Sequence, residues 1–106
     1  MDRFEGTFED LIGLLPSLDE AFIVYCDPTK SLGQAVCIAF DPDEQDLAAD
    51  DFTPIEIENR GFSELLSVAD INDVISNAKQ QKSDLRYPDI VKAVEHYVKN
   101  DAFIEF

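Results

Sequence analysis

Two uninterrupted apolar runs, Ala21-Phe-Ile-Val-Tyr-Cys26 and Ala35-Val-Cys-Ile-Ala-Phe40, each stop at an Asp-Pro pair, Asp27-Pro28 and Asp41-Pro42. Their β-branched and aromatic content and their short length predict two strands. Because nearly every residue is apolar, both faces of these strands need cover. The connection Pro28-Thr-Lys-Ser-Leu-Gly33 is short and turn-like. It predicts an antiparallel hairpin over 21–27 and 34–40.

Helical periodicity surrounds the hairpin. Thr7 followed by Glu9 and Asp10 reads as an N-cap with an acidic first turn, and Phe8, Leu11, Ile12 and Leu15 recur at helical spacing until Pro16. Pro54 suits the first position of a short helix through Asn59, with Gly61 as its left-handed C-terminal residue. A short strand is expected at Phe62–Leu66. Ser67 and Asp70 resemble a capping box ahead of the stripe Val68, Ile71, Val74 (or Ile75) and Ala78, ending near Gln81. A last helix is predicted from Pro88 through Asn100, with Val91, Val94 and Val98 inward and Lys92 and Lys99 outward. The apolar tail Asp101–Phe106 is expected to dock on the core or add an edge strand. The whole predicts an α+β fold, a small antiparallel sheet packed against three to four helices, in one domain spanning 1–106.

Charge divides the chain unevenly. Residues 1–58 carry 15 acidic and 2 basic side chains, whereas residues 59–106 carry 8 and 6, within a total net charge of -15. No lysine or arginine lies between Ser31 and Asn59, while Asp41, Asp43, Glu44, Asp46, Asp50, Asp51, Glu56 and Glu58 crowd into one segment. Such a field repels nucleic acid and anionic membranes, which need basic patches, and attracts cations and basic surfaces. Asp41–Thr53 reads as a loop with one helical turn near Leu47. A solvated acidic face that aids solubility is the plain alternative. The functional one is a docking surface for a basic protein, in which these carboxylates accept bonds from arginine and a few apolar anchors among the interleaved Leu47, Phe52, Ile55 and Ile57 supply the buried centre.

Catalytic groups are sparse. His96 is the one histidine and sits mid-helix, and the glycines Gly6, Gly13, Gly33 and Gly61 fall singly, so neither a nucleophile with its base nor a phosphate loop is expected. Asp41, Asp43 and Asp46 lack the glycine and the bidentate glutamate of an EF-hand loop, since the corresponding positions hold Asp46 and Phe52. Cys26 and Cys37 cannot fill a zinc site alone and read as small buried hydrophobes. With no basic, apolar leader, a cytoplasmic location is expected, with reduced thiols. The expectation is a monomer that is not an enzyme and holds no metal or cofactor.

Glu58-Asn59-Arg60-Gly61, the stretch Ile71-Asn-Asp-Val-Ile-Ser-Asn77-Ala-Lys-Gln-Gln81, and Tyr97 with Asn100-Asp101-Ala-Phe-Ile104 resemble a family of small acidic bacterial proteins that includes immunity proteins of contact-dependent growth inhibition. The resemblance implies a cytosolic protein that binds the toxin domain of a large delivered protein, often a basic nuclease, and blocks it. Contact surfaces vary greatly in that class, so no binding residue is carried over. A DNA mimic acting on a nucleic-acid-binding protein is the alternative.

Overall fold

The computed structural model describes residues 2–106. It contains an antiparallel sheet of four strands, β1 (Arg3–Thr7), β2 (Ile23–Cys26), β3 (Val36–Phe40) and β4 (Ser63–Ser67), in the order β1-β3-β2-β4. Four helices accompany it: α1 (Phe8–Leu14), α2 (Ile55–Arg60), α3 (Val68–Gln81) and α4 (Tyr87–Asn100). The fold is α+β, and the hairpin is its centre, with Ile23 opposite Phe40 and Cys26 opposite Cys37.

Cover on both sheet faces follows from the apolar runs. Val24, Cys26, Cys37 and Ala39 join the main core with residues of α1, α3 and α4. The alternate residues Tyr25, Ile38 and Phe40 form a second, smaller core closed by Ile57 of α2, with Ile23 and Phe62 packed at its margin. Period-two alternation thus feeds two cores from one pair of strands. The cysteines are free, buried thiols on the helix-covered face. Contact with Cys37, then burial, pushes the Cys26 thiol up.

Local signals account for the helix boundaries. The Thr7 hydroxyl accepts from the Asp10 amide at 3.1 Å, and the Ser67 hydroxyl accepts from the Asp70 amide at 3.1 Å. Each satisfies one backbone donor that the first helical turn leaves unpaired. Phe8, Leu11 and Leu15 are buried, as are Val68, Ile71, Val74, Ile75 and Ala78 along α3. Gly61 ends α2 at φ +68°, in the left-handed region where a side chain is strained.

Several elements differ from the sequence expectation. β1 was not anticipated: Arg3 and Glu5 alternate with Phe4, a charged edge strand with one apolar residue, which carries almost no strand signal. β4 begins and ends one residue later than predicted, and its pairing slips between Val24 and Tyr25, a bulge that leaves Leu65 as the extra residue. Pro54 stands at the N-cap of α2 rather than inside it, and α4 opens at Tyr87, with the Asp89 carboxylate accepting from the Arg86 amide. The helical turn expected near Leu47 lies instead at Pro42–Glu44 as a 3-10 turn. Val98 is 47% exposed, not inward, and Ala93 is buried in its stead beside Val94. The tail forms no strand; Ile104 is buried, and Gln81 holds the Ile104 carbonyl and the Phe106 amide.

Candidate functional site

The acidic segment is a built structure rather than a slack loop. Asp41 caps the 3-10 turn by accepting from the Asp43 amide at 2.9 Å. Leu47 then bridges Pro54, the Ala48 amide donates to the Thr53 carbonyl at 2.7 Å, and the Ile55 amide donates to the Asp46 carbonyl at 2.8 Å. These bonds close a small hairpin whose tip is Ala49 to Phe52. Asp51 adopts φ +62°, a conformation aspartate tolerates better than most residues.

Asp50 holds that tip together. Its carboxylate accepts from the Thr53 amide at 2.8 Å, the Thr53 hydroxyl at 2.7 Å and the Phe52 amide at 2.9 Å. The Thr53 bonds, then that of Phe52, favour the charged form and hold the Asp50 carboxyl below its ordinary value. The consequence is the position of Phe52, which is 84% exposed with Asp50 and Asp51 just before it. Because Asp50 already holds the Phe52 amide, covering the ring costs little further ordering of the backbone, and the ring offers a large apolar face.

Glu56 is differently placed. Arg3 reaches across from β1 with a two-pronged bond to the Glu56 carboxylate, at 2.9 and 2.6 Å, and Arg60 lies 3.7 Å from the same group. Arg60 also pairs with Glu5 at 3.1 Å. Two arginines and two glutamates therefore balance one another at the base of α2, and the Arg3 bond holds the Glu56 carboxyl below its ordinary value. Both guanidinium groups lie against rings, Arg3 at 5.4 Å from Phe40 and Arg60 at 4.7 Å from Phe62.

The eight carboxylates singled out in the sequence thus separate into roles, and Phe52 stands exposed among them. Asp41 and Asp50 shape the loop and Glu56 is neutralised in the arginine cluster. Asp43, Glu44, Asp46, Asp51 and Glu58 enter no ion pair and make no side-chain hydrogen bond among the described residues. The cluster escaped sequence reasoning because Arg3 precedes the basic-free segment and Arg60 follows it. Their pairing is visible only once β1 lies beside β3. Gln45, Asp46, Pro54, Ile55 and Asn59, with Glu56 and Arg60 of the cluster, line an open cavity of about 400 Å³ with mixed polar and apolar walls. Among the described residues no three histidine, cysteine or acidic side chains converge as metal ligands would.

DUF7716, described as a domain of unknown function, matches residues 9–106. The chain belongs to the DUF7716 family. No curated protein and no solved structure matches it. The DUF7716 match takes in the whole acidic hairpin and α2 but begins within α1, so β1, which supplies Arg3 and Glu5 to the charge cluster, lies outside it. No helix among the described residues is long and apolar enough to cross a membrane.

Proposed function

We propose that this DUF7716 protein is an immunity protein of the contact-dependent growth inhibition type, which binds and neutralises a cognate basic toxin domain, a nuclease, through its acidic hairpin in the cytoplasm. The observation that carries this reading is Phe52, 84% exposed at the tip of an ordered turn amid carboxylates. Aromatic anchors surrounded by polar groups dominate the energetics of protein interfaces, and unpaired carboxylates accept arginine with directional, charge-assisted bonds. The two arginines nearest the hairpin are held by Glu5 and Glu56, so they leave the field of Asp43, Glu44, Asp46 and Asp51 standing. A nuclease site is positively charged because it must hold phosphates, and carboxylates placed there occupy the phosphate positions. Mimicry of duplex DNA is less well supported: these side chains sit on a 3-10 turn, a hairpin tip and a short helix, three local geometries without the regular spacing of a phosphate backbone.

Co-expression provides the test. The C-terminal portion of any large open reading frame immediately upstream of the gene is expressed with and without this protein. A toxic, basic fragment silenced by the 106-residue chain is expected. Replacing Asp43, Glu44 and Asp46 together by lysine, or Phe52 by alanine, should then remove protection while the urea midpoint stays put. Asp50 is left intact because its loss would disorder the tip itself. A fragment whose toxicity is unaffected by the wild-type chain, or protection undiminished in the triple lysine variant, would overturn the proposal.

A further inference from the structure

A second concavity lies on the helix-covered face of the sheet, opposite α2 and therefore away from the acidic hairpin. It has a volume of about 440 Å³, within the roughly 300–1,000 Å³ range of small-molecule sites. Three walls form it: the β2–β3 connection, the start of β4 and the last turns of α4.

Val98 is the clue that the space is unfilled. It continues the apolar stripe of α4 after Val91 and Val94, a position that helical periodicity assigns to the core, yet Val98 is 47% exposed and lines the cavity. Leu65, the extra residue of the β4 bulge, and Leu32 of the connection line it too, and Cys26 lies in its wall. The apolar core of the helix face is incomplete at this point.

Charge around this apolar patch comes in both signs. α4 contributes Glu95 and Lys99, one turn apart, and the connection contributes Lys30; Glu64 pairs with Tyr25 of β2, so its carboxylate stands on the other face of the sheet. Glu95, Lys99 and Lys30 make no ion pair within 4.0 Å and no side-chain hydrogen bond among the described residues. Asp27, also at the rim, is committed to Thr29, accepting from its amide at 2.9 Å and its hydroxyl at 2.7 Å. A cationic ligand would set its charge against Lys30 and Lys99, and an anionic one against Glu95. A dipolar ligand can place each end against its opposite.

We infer that this cavity binds a small zwitterion with an aliphatic body, an α-amino acid of the leucine type. Its ammonium group meets Glu95, its carboxylate meets Lys30 and Lys99, and its side chain covers Val98, Leu32 and Leu65. The site lies apart from the acidic hairpin and stands or falls independently of the immunity reading.

Calorimetric titration of the full chain with L-leucine tests this, with amide NMR shifts at Leu65 and Val98 to locate binding. Saturable binding below a Kd of about 1 mM is expected. Leucinamide, which lacks the carboxylate, N-acetyl-leucine, which lacks the ammonium, and glycine, which lacks the aliphatic body, should each bind at least about tenfold more weakly, a loss of about 1.4 kcal/mol. V98D, at a position already half exposed, should abolish binding with the far-UV spectrum unchanged, and K99E should weaken leucine more than leucinamide. Absence of leucine binding at about 10 mM overturns the assignment. Equal affinity for leucinamide or N-acetyl-leucine, or retained binding in a folded V98D, does so as well.

Discussion

Arg3 and Glu56 stand 53 residues apart and meet in a two-pronged bond at 2.9 and 2.6 Å, joining the edge strand β1 to α2 across the sheet face that α2 covers. Both side chains are more than a third exposed, so water screens much of the attraction, and an exposed pair of this kind contributes about 0.2–1 kcal/mol. Its pH dependence is more diagnostic. The Arg3 bond depresses the folded Glu56 carboxyl below the ordinary glutamate value of 4.5. The contribution is therefore complete above that unfolded value and disappears as pH falls through the lower folded value. Urea unfolding of wild type and E56Q should show a gap of under about 1 kcal/mol at neutral pH that closes as pH falls below the ordinary glutamate value. A gap that grows on acidification would contradict the pairing.

Gly61 and Gly13 should respond to alanine with opposite signs. A Cβ at either position meets nothing within 4 Å, so packing does not separate them. Backbone conformation does: Gly61 holds φ +68° as the C-terminal residue of α2, whereas Gly13 lies within α1 in ordinary helical geometry. G61A should lose about 1 kcal/mol through left-handed strain, and G13A should gain about 0.5–1 kcal/mol through helix propensity and a less flexible unfolded chain. Thermal melts of the two variants settle this by the sign alone.

The parts of this fold legible in the sequence are those whose signals are local. The apolar runs at 21–26 and 35–40, the Thr7 and Ser67 caps and the stripe of α3 each follow from neighbours a few residues apart. β1 was hidden because an edge strand needs only one buried side chain, Phe4, and charged flanks disguise it. The position of Val98 misled for the opposite reason: periodicity is a property of the helix alone, and whether the core extends beneath it depends on where β4 begins. In the candidate site, the concentration of carboxylates was plain from the outset. Their division into loop-shaping Asp41 and Asp50, neutralised Glu56 and uncommitted Asp43, Glu44, Asp46, Asp51 and Glu58 required the hairpin geometry and the two arginines from outside the segment.

Asp50 should govern the order of the hairpin tip. D50A removes the acceptor shared by the Phe52 amide, the Thr53 amide and the Thr53 hydroxyl. Loss of a comparable side-chain cap costs about 0.5–2 kcal/mol, and here the effect should stay local. Amide hydrogen exchange should quicken at Phe52 and Thr53 and remain unchanged along α3. Because the same bonds hold the Asp50 carboxyl below the ordinary aspartate value of 3.8, tip protection in the wild type should persist through pH 3.8 and fade only at more acidic values. Fading above that value would contradict the assignment.

The second core makes the sharpest demand on α2. Ile55 and Ile57 are two residues apart on one short helix, but Ile57 is 1% exposed against Tyr25, Ile38 and Phe40, while Ile55 is 42% exposed. This core is small, and Ile57 is the one fully buried side chain that α2 brings to it. I57A opens a cavity that the hairpin side chains cannot collapse to fill, since Tyr25 and Phe40 are already packed with ring centroids 5.5 Å apart. A loss of about 2–5 kcal/mol is expected for I57A, and a change within about 0.5 kcal/mol for I55A. Urea denaturation of both variants compares the same substitution on two faces of one helix. Similar losses in the two would mean that α2 does not close the sheet's second face.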